Sequence, residues 1–225
     1  MQLSVIIPAL NEGDNIRQTL AALQGLRSRG HEVIVVDGGS VDGSVQAAND
    51  GADNVLQSPP GRAGQMNAGA ETARGDVLVF LHADSRLPEN ADSLIDWALA
   101  GEKSWGRFDA TLSGSHLMFH VIAFFMNLRS RLTGTATGDQ AIFVRRDCFH
   151  SIGGFPPIRL MEDIALCKTL RKIHYPARIT ARVVTSSRRW EVNGIFKTIL
   201  LMWRLRLAYF FGADPDKLHN QYYRY

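Results

Sequence analysis

The residue with the clearest chemical potential is Asp84, which follows an unbroken run of five apolar residues at positions 77–81. Such a run, opened by the turn signal Gly75-Asp76, is typical of a strand buried on both faces in the middle of a parallel sheet. Ligands of open α/β sheets bind beyond the carboxyl ends of the strands, where Asp84 and His82 would lie. Mg²⁺ and Mn²⁺ take one or two protein carboxylates and share substrate phosphates. The pattern therefore predicts a metal-bound diphosphate at Asp84, with His82 as a weak ligand or a hydrogen-bonded structural residue.

A second carboxylate, Asp37, follows another buried strand at positions 33–36 and precedes a glycine-rich turn. At the ligand edge of the sheet it could accept a hydrogen bond from a nucleobase or a ribose hydroxyl, or it could stabilise its own turn. Arg62, Gln65 and Asn67 lie at the start of a later predicted helix, where a helix N-terminus and a guanidinium could bind phosphate oxygens. A solvated Arg62 in a loop is the alternative.

An acidic pair, Glu162 and Asp163, opens a predicted helix after a loop rich in glycine and proline. Negative charge at a helix N-terminus is favourable and needs no further role. Next to a dianionic substrate, however, one of the two acids would have a raised pKa and could serve as a general base.

Several other kinds of site are excluded by the pattern. A dinucleotide-binding fold would carry its glycine fingerprint after the first strand, where this chain has Ala9-Leu10-Asn11-Glu12. No Gly-Lys-Ser/Thr phosphate loop occurs. His116 and His120 have helical i,i+4 spacing, but no Glu-x-x-His partner or cysteine completes a zinc site. We interpret them as core or interface histidines.

The composition is that of an ordinary globular protein, with 225 residues of which 45% are hydrophobic and 21% charged. The net charge of +3 is too small to indicate nucleic acid as a partner. Cys148 and Cys167 lie in polar helical contexts, so we expect reduced thiols. The chain opens directly with a predicted strand rather than a basic segment, so we expect no signal peptide and a cytoplasmic location.

Predicted strands and helices alternate through the first half at a spacing that specifies βαβ units and a parallel sheet. After Pro88 this rhythm changes, and the second half predicts a mixed sheet joined to the first. The predicted strands are residues 3–7, 33–36, 54–57, 77–81, 105–112, 140–144 and 177–185. The predicted helices are one capped by residues 11–15 and ending near 29, then 44–49, 63–73, 89–100, 116–131, 161–172 and 192–211, and a short last one after Asp214-Pro215.

The segment at positions 195–211 is apolar almost all round but carries Lys197, Arg204 and Arg206, which makes it a poor transmembrane span. Positions 182–206 hold six basic residues and one acid, a local balance of +5. The segment could pack within the protein, or it could lie on an anionic membrane surface. With the helix at 116–131 it could also form a homodimer interface or line a groove for a lipid acceptor.

Five short motifs occur in a fixed order along the chain. They are Val5-Ile6-Ile7-Pro8-Ala9-Leu10-Asn11-Glu12, Val36-Asp37-Gly38-Gly39-Ser40-Val41-Asp42-Gly43, Leu81-His82-Ala83-Asp84, Glu162-Asp163 and Arg188-Arg189-Trp190. In this order they resemble the family-2 glycosyltransferases, which have the GT-A fold. Through His-Ala-Asp-Ser, Thr137-Gly138-Asp139-Gln140 and the Arg-Arg-Trp segment, the chain is similar to the selenodomain-associated (radical-SAM-linked) transferase subgroup.

The resemblance implies a GT-A fold, a Rossmann-like mixed sheet flanked by helices, over residues 1–190. Residues 191–225 would then be a C-terminal amphipathic helical extension. It also implies a metal-dependent inverting transfer from a nucleotide-diphosphosugar, a UDP- or GDP-sugar, to a hydroxyl of a lipid or small-molecule acceptor. The metal would be Mg²⁺ or Mn²⁺, and the enzyme would be cytoplasmic or peripherally bound to the inner face of the cell membrane.

The resemblance also assigns roles to residues. For the nucleotide-sugar it implies Pro8, Glu12, Asp37, Arg62, Asn67, His82, Ala83, Asp84, Arg189 and Trp190. For the acceptor it implies Gly138, Asp139 and Gln140. Asp84 would hold the metal, and Asp163, with Glu162 beside it, would deprotonate the acceptor hydroxyl.

Two alternatives remain at the level of sequence. A metal-dependent nucleotidyltransferase uses a similar sheet, but it would carry a glycine-rich basic loop after the first strand, where this chain has Asn11-Glu12. A nucleotide-sugar-binding protein without turnover is suggested by Gly38 and His82, which stand where a second acid and a metal-motif Asp are usual.

Overall fold

The apolar runs of the first half form a parallel sheet, because a strand covered by helices on both faces has no side that prefers water. The computed structural model of the chain describes residues 1–223. Its first four strands are β1 (Leu3–Ala9), β2 (Glu32–Asp37), β3 (Asn54–Gln57) and β4 (Val77–Phe80). They pair in parallel in the order β3-β2-β1-β4, and β1 and β4 are buried along their whole length.

The second half extends the same sheet with strands of both directions. These strands are β5 (Ser85–Arg86), β6 (Trp105–Leu112), β7 (Phe143–Arg145) and β8 (Ala177–Thr185). β7 lies antiparallel between β4 and β6, and β8 runs parallel to β6 and antiparallel to β5, which gives the order β3-β2-β1-β4-β7-β6-β8-β5. The predicted mixed sheet is confirmed, although the pattern gave no sign of β5. The pairing of Ser85 with Thr185 joins the segment after β4 to the end of β8.

Helices connect the strands and cover both faces of the sheet. They are α1 (Gly13–Ser28), α2 (Ser44–Asn49), α3 (Arg62–Thr72), α4 (Ala91–Ala98), α5 (Leu117–Thr133), α6 (Arg146–Ser151), α7 (Glu162–Leu170), α8 (Arg188–Asn193), α9 (Ile195–Phe210) and α10 (Pro215–Tyr223), with a 3₁₀ helix at Gly138–Gln140. The small residues of α3 bring it close to the sheet, since a Cβ at Gly69 would lie 2.5 Å from Ile6 Cγ2. This packing fixes the N-terminus of α3 beside the ends of β1 and β2.

The C-terminal helices differ from the prediction. We expected one helix over residues 192–211, but Gly194 adopts a φ of 83° and separates α8 from α9. That left-handed conformation is accessible to glycine and interrupts the helical path. A small cluster packs α9 and α10 on the loop before α7; its buried members are Leu160, Met161, Leu201, Leu205 and Leu218. Within residues 1–223 no helix has both the length and the apolar character that a bilayer crossing requires.

Candidate active site

A cavity of about 1910 Å³ opens where β1 and β4 end. Pro8 and Ala9 line it from β1, and His82, Ala83 and Asp84 line it from the segment after β4. The other walls come from α5, the 3₁₀ helix, the start of α7 and the three C-terminal helices. Pockets for a single small ligand measure roughly 300–1,000 Å³, so this cavity has room for two molecules at once.

Asp139, Glu162 and Asp163 all line this cavity. Asp163 is held on both oxygens, because Oδ2 accepts the Gly138 N–H at 3.1 Å and Oδ1 accepts the Ile164 N–H at 2.7 Å. Glu162 is only 6% exposed and directly precedes Asp163 in the same helical turn. The start of α7 therefore presents two adjacent carboxyl groups, one of which has a fixed orientation.

The surroundings of these acids shift their pKa values in opposite directions. Burial raises the pKa of Glu162 to about 7, and the charge of Asp163 adds to the shift. Burial also raises the pKa of Asp163, against the opposing effect of the two backbone N–H groups. Burial would raise the pKa of Asp139 as well, but the hydrogen bond and the charge of His82 outweigh it and lower that pKa. The pair on α7 is thus suited to accept a proton near neutral pH, and Asp139 is not.

Two residues beside the acids have left-handed backbone conformations that are unusual for a side chain with a Cβ. Met161, the residue before Glu162, has a φ of 70°, and Ala141, which follows the 3₁₀ helix of Asp139, has a φ of 43°. Each such conformation costs about 1–3 kcal/mol and persists only where packing enforces it. Both residues are at most 8% exposed. Backbone strain therefore flanks the segments that carry the candidate acids.

Asp84 is half-buried, lies in the segment after β4 and lines the cavity. The Ser85 hydroxyl is 3.4 Å from Asp84 Oδ1 and 3.1 Å from Thr185 Oγ1, and it can donate to only one of them. Thr185 Oγ1 in turn donates to Asp139 Oδ1 at 3.4 Å. Because the shorter contact favours Thr185, the Asp84 carboxylate has lone pairs to offer a ligand.

Of the two roles predicted for His82, metal ligand or hydrogen-bonded structural residue, the structure shows the second. Its Nδ1 lies 3.4 Å from Asp139 Oδ1, and its Nε2 is packed so closely on Gly138 that a Cβ there would lie 2.2 Å away. Neither ring nitrogen is directed at Asp84. Across the described part of the chain, no three His, Cys, Asp or Glu side chains are grouped to hold a metal ion. One open carboxylate fits a Mg²⁺ or Mn²⁺ that is shared with substrate phosphates, but not a site made by the protein alone.

Asp37 and Gln65 hold together the carboxyl ends of β1 and β2. Asp37 Oδ2 accepts the N–H groups of Gly39 and Ser40 at 2.9 and 3.0 Å, so the carboxylate stabilises its own turn. Its Oδ1 is buried and has no hydrogen-bond partner among residues 1–223. The Gln65 amide donates to the carbonyl oxygens of Ala9 and Val36, which ties the ends of β1 and β2 together. A ligand N–H or O–H would satisfy the free oxygen of Asp37.

Three of the predicted binding residues do not line the cavity: Asp37, Asn67 and Gln140. Asn67 exchanges two hydrogen bonds with the backbone of Phe155. Gln140 is fully buried, and its amide lies within hydrogen-bond reach of the Phe108 carbonyl and the Asn127 side chain. Asn67 and Gln140 hold segments that border the cavity, and neither side chain is exposed in it.

Basic residues also line the cavity. Arg62 lines it from the start of α3; burial lowers the Arg62 pKa, but the surrounding groups, Tyr222 first among them, outweigh this and raise it. Arg188 forms an ion pair with Glu12 at 3.1 Å. Glu12 was predicted to bind the nucleoside, and in this structure its carboxylate is paired with Arg188 instead. Arg189 stacks on the Tyr222 ring at 3.5 Å and donates to the Tyr222 carbonyl at 2.8 Å. Trp190 also lines the cavity.

Sequence reasoning missed several residues of this cavity, among them Arg129 and Tyr222. Arg129 lines it from α5, and Tyr222 lines it from α10. The available signal for Arg129 was that it is one of two arginines in a strongly apolar helix. Tyr222 gave no such signal, because only the docking of α10 brings it there.

Comparison with known proteins gives a family match. The model of the family described as "Glycosyl transferase family 2" matches residues 4–154. Undecaprenyl-phosphate 4-deoxy-4-formamido-L-arabinose transferase of Pseudomonas fluorescens is 31% identical over 157 residues, which cover 64% of this chain and 46% of that protein. The chain thus spans less than half the length of this curated relative.

Two solved structures resemble the fold. Mannosyltransferase PcManGT from Pyrobaculum calidifontis, in complex with GDP-Man and Mn²⁺, superposes with a TM-score of 0.65 at 23% identity over 92% of this chain and 61% of that one. S. aureus TarS in complex with UDP-GlcNAc superposes with a TM-score of 0.66 at 19% identity over 83% of this chain and 58% of that one. These likenesses establish the GT-A fold.

Proposed function

The chain belongs to glycosyl transferase family 2, and on that premise we propose that it transfers a sugar from a nucleotide-diphosphosugar to the hydroxyl of an acceptor, with inversion at the anomeric carbon. The observation that carries the proposal is one cavity that holds an open carboxylate, Asp84, together with the buried acids Glu162 and Asp163. A displacement at a sugar carbon needs a stabilised leaving group and a base near the acceptor, and these groups supply both.

Asp163 is the proposed base, with Glu162 modulating its charge. The acceptor oxygen bonds to the anomeric carbon while the bond to the diphosphate oxygen breaks, and the hydroxyl proton passes to the Asp163 carboxylate. The two backbone N–H groups that hold Asp163 keep the carboxylate oriented, and the raised pKa of the pair favours proton uptake near neutral pH. Gly138 and Asp139 would border the acceptor.

We propose that Asp84 is the protein ligand of a Mg²⁺ or Mn²⁺ ion shared with the donor diphosphate. The ion would neutralise charge that develops on the leaving diphosphate. Support comes from the free lone pairs of Asp84 and from the PcManGT structure, whose complex contains GDP-Man and Mn²⁺. Without turnover, the idea is tested by thermal shift: UDP or GDP should raise the melting temperature more with Mn²⁺ than without it. Asp84→Asn should abolish that difference.

The nucleoside and diphosphate would lie at the ends of β1 and β2. Asp37 Oδ1 is buried without a partner in the described structure and could accept from a nucleobase or ribose. Arg62, Arg189 and Trp190 line the cavity and could bind the diphosphate or close on the donor. Neighbouring structures in complex with UDP-GlcNAc and GDP-Man support a UDP- or GDP-sugar.

The reaction type is tested by incubating the protein with UDP- and GDP-sugars, Mn²⁺ and a panel of acceptors. Release of UDP or GDP together with a glycosylated acceptor supports the proposal. Release of pyrophosphate would instead identify a nucleotidyltransferase. Tight binding of the donor without any release would identify a binding protein without turnover.

We also propose that residues 191–225 are a helical extension of the catalytic domain at 1–190, and that it brings the enzyme to an anionic membrane surface inside the cell. Exposed apolar side chains on α9, such as Phe196 and Phe210, and the basic stretch before it support this role. Flotation with anionic and neutral liposomes tests it. Salt-sensitive retention on the anionic vesicles is expected, and equal absence from both would refute it.

The selenodomain-associated (radical-SAM-linked) subgroup is a further proposal. The motifs that suggest it, beginning at His82, Thr137 and Arg188, all contribute lining residues to the one cavity. A sequence profile built from that subgroup should align over the whole chain with the three motifs in register. Misalignment of any of them would place the chain elsewhere in the family.

A further inference from the structure

The guanidinium of Arg129 is a buried cation that the proposed reaction does not use. Its Nε and Nη2 atoms are shielded from water and have no hydrogen-bond acceptor within residues 1–223, and no carboxylate there forms an ion pair with it. Burial lowers its pKa against the opposing charges of Asp163 and Asp139. A buried N–H group without an acceptor is costly, so these two groups are suited to an acceptor oxygen that a ligand brings.

The two free atoms suggest the shape of that ligand. Nε and Nη2 lie on the same edge of a guanidinium and donate two parallel hydrogen bonds to a pair of oxygens on one phosphate or carboxylate. Arg129 lines the cavity that also contains Asp163 and Asp139, and their charges act on it. An anionic group held there would lie close to the proposed base.

An apolar stripe begins one helical turn from Arg129. Phe125, Ile122, Val121 and Met118 stand four, seven, eight and eleven residues before it and line the same cavity. Residues at these spacings share one face of a helix. The distance along the helix from Arg129 to Met118 is about 16 Å, and Phe125 keeps 59% of its surface exposed.

α9 adds a second apolar wall to the same cavity. Leu200 and Trp203 line it and remain 71% and 73% exposed. Side chains of this size rarely stay uncovered in one connected surface without a binding partner. A cavity with a buried cation beside the acids and an apolar stripe leading away from it along α5 is complementary to a molecule with an anionic head and a hydrocarbon chain.

We propose that Arg129 and the α5 stripe bind an amphiphilic acceptor, whose phosphate group lies on the Nε and Nη2 edge of Arg129 and whose single hydrocarbon chain runs along Phe125 toward Met118. In naming this ligand the acceptor, the inference rests on the proposed function. The binding itself does not, because it requires neither donor nor turnover.

The test is direct binding of dodecyl phosphate, dodecanol and inorganic phosphate to the full chain, each below the concentration at which micelles form. Tryptophan fluorescence reports it, since Trp190 and Trp203 line the cavity. Dodecyl phosphate should bind more tightly than dodecanol, and inorganic phosphate should bind weakly. Equal affinity for dodecyl phosphate and dodecanol would refute the role of the cation, and equal affinity for the two phosphates would refute the role of the chain.

Matched variants separate the two ends of the subsite. Arg129→Gln should weaken dodecyl phosphate roughly tenfold or more without changing dodecanol, while Arg131→Gln, exposed on the same helix, should change neither. Phe125→Ser should weaken both ligands, and Phe124→Ser should not, because Phe124 is equally exposed at 61% but does not line the cavity. Equal affinities for the two arginine variants, or for the two phenylalanine variants, would overturn the assignment of this subsite.

Circular dichroism melting checks that each variant folds, and Arg129→Lys provides a second variant that keeps the charge and loses the paired donors. This variant should bind dodecyl phosphate with an affinity between those of wild type and Arg129→Gln; an affinity at or below that of Arg129→Gln would refute the charge-based role. Selective binding by a protein that transfers no sugar would leave the subsite standing and refute the proposed function. Sugar transfer by a protein that shows no such selectivity would refute the subsite and leave the proposed function standing.

Discussion

Replacing Glu162 with Gln should make the protein more stable at alkaline pH. Glu162 is 6% exposed, and burial together with the charge of Asp163 raises its pKa to about 7 from an ordinary value of 4.5. An acid whose pKa is higher in the folded state binds more protons there than in the unfolded chain. Its contribution to stability is therefore lost as the pH rises from about 4.5 to about 7.

The size of the effect follows from the shift. A shift from 4.5 to about 7 corresponds to about 3 kcal/mol of folding free energy at pH values above both. Glu162 and Asp163 titrate as a pair, so this is an order of magnitude for the removal of one charge. For a chain of this length 1 kcal/mol moves the melting temperature by about 2–4 °C. We expect Glu162→Gln to melt roughly 5–10 °C above wild type at about pH 8, and close to wild type at about pH 4.5.

The measurement is a set of thermal melts of both proteins across this pH range in one buffer system of constant ionic strength. Glu102→Gln is the control, because Glu102 is exposed and the same charge is removed in water. A gain for Glu162→Gln that does not vary with pH would mean that packing, not charge, is responsible. No gain at alkaline pH, or an equal gain for Glu102→Gln, would refute the reasoning.

Three further changes test the site and its support. Asp163→Asn should leave donor binding intact and lower turnover by roughly two to four orders of magnitude; stopped assays of both proteins measure this. Gly138→Ala should lower the free energy of unfolding by about 1–3 kcal/mol and should also lower activity. The reason is that the new Cβ would lie 2.2 Å from His82 Nε2. Leu205→Ala, at a fully buried position of α9, should cost roughly 2–5 kcal/mol in urea unfolding.

Each of these has an outcome that contradicts it. Near-wild-type turnover of Asp163→Asn would mean that the base lies elsewhere. Gly64→Ala is the control for Gly138, since a Cβ there meets no atom within 4 Å; equal loss in both variants would mean that the contact with His82 is not responsible. Leu207→Ala is the control for Leu205, since Leu207 is 60% exposed. Equal costs for the two leucines would mean that α9 is not packed on the domain as described.

The sheet could be predicted closely because most of its strands are short apolar runs, which are typical of buried strands. β3, β6 and β8 have the predicted bounds, and β1, β2 and β4 differ by one or two residues. The failures are local. Ser85 and Arg86 form a strand only because β8 arrives beside them, and two residues carry no periodic signal. The break at Gly194 was missed because one glycine in a helical pattern is often tolerated.

The candidate site was predictable in its location but less so in its contacts. Strand ends identified Asp37 and Asp84, because the carboxyl edge of a parallel sheet follows from the sequence. Sequence could not say that Asp37 would bind its own turn, or that His82 would face Asp139, because both depend on side-chain geometry. Arg129 was missed because the feature that singles it out is the absence of hydrogen-bond acceptors around its buried Nε and Nη2 atoms. That absence depends on how other segments pack around it.

The left-handed backbone at Met161 and Ala141 has a consequence for how this protein can change. Glycine adopts that conformation without strain, so a laboratory screen for heat tolerance would enrich glycine at position 141. Met161 would be kept, because its side chain packs in the buried cluster beneath α9 and its loss would cost more than the strain. Glycine at position 141 would let the adjoining turn sample more shapes, and the carboxyl group of Asp139 would spread over many orientations. Heat tolerance and turnover would then be selected in opposite directions at that one position.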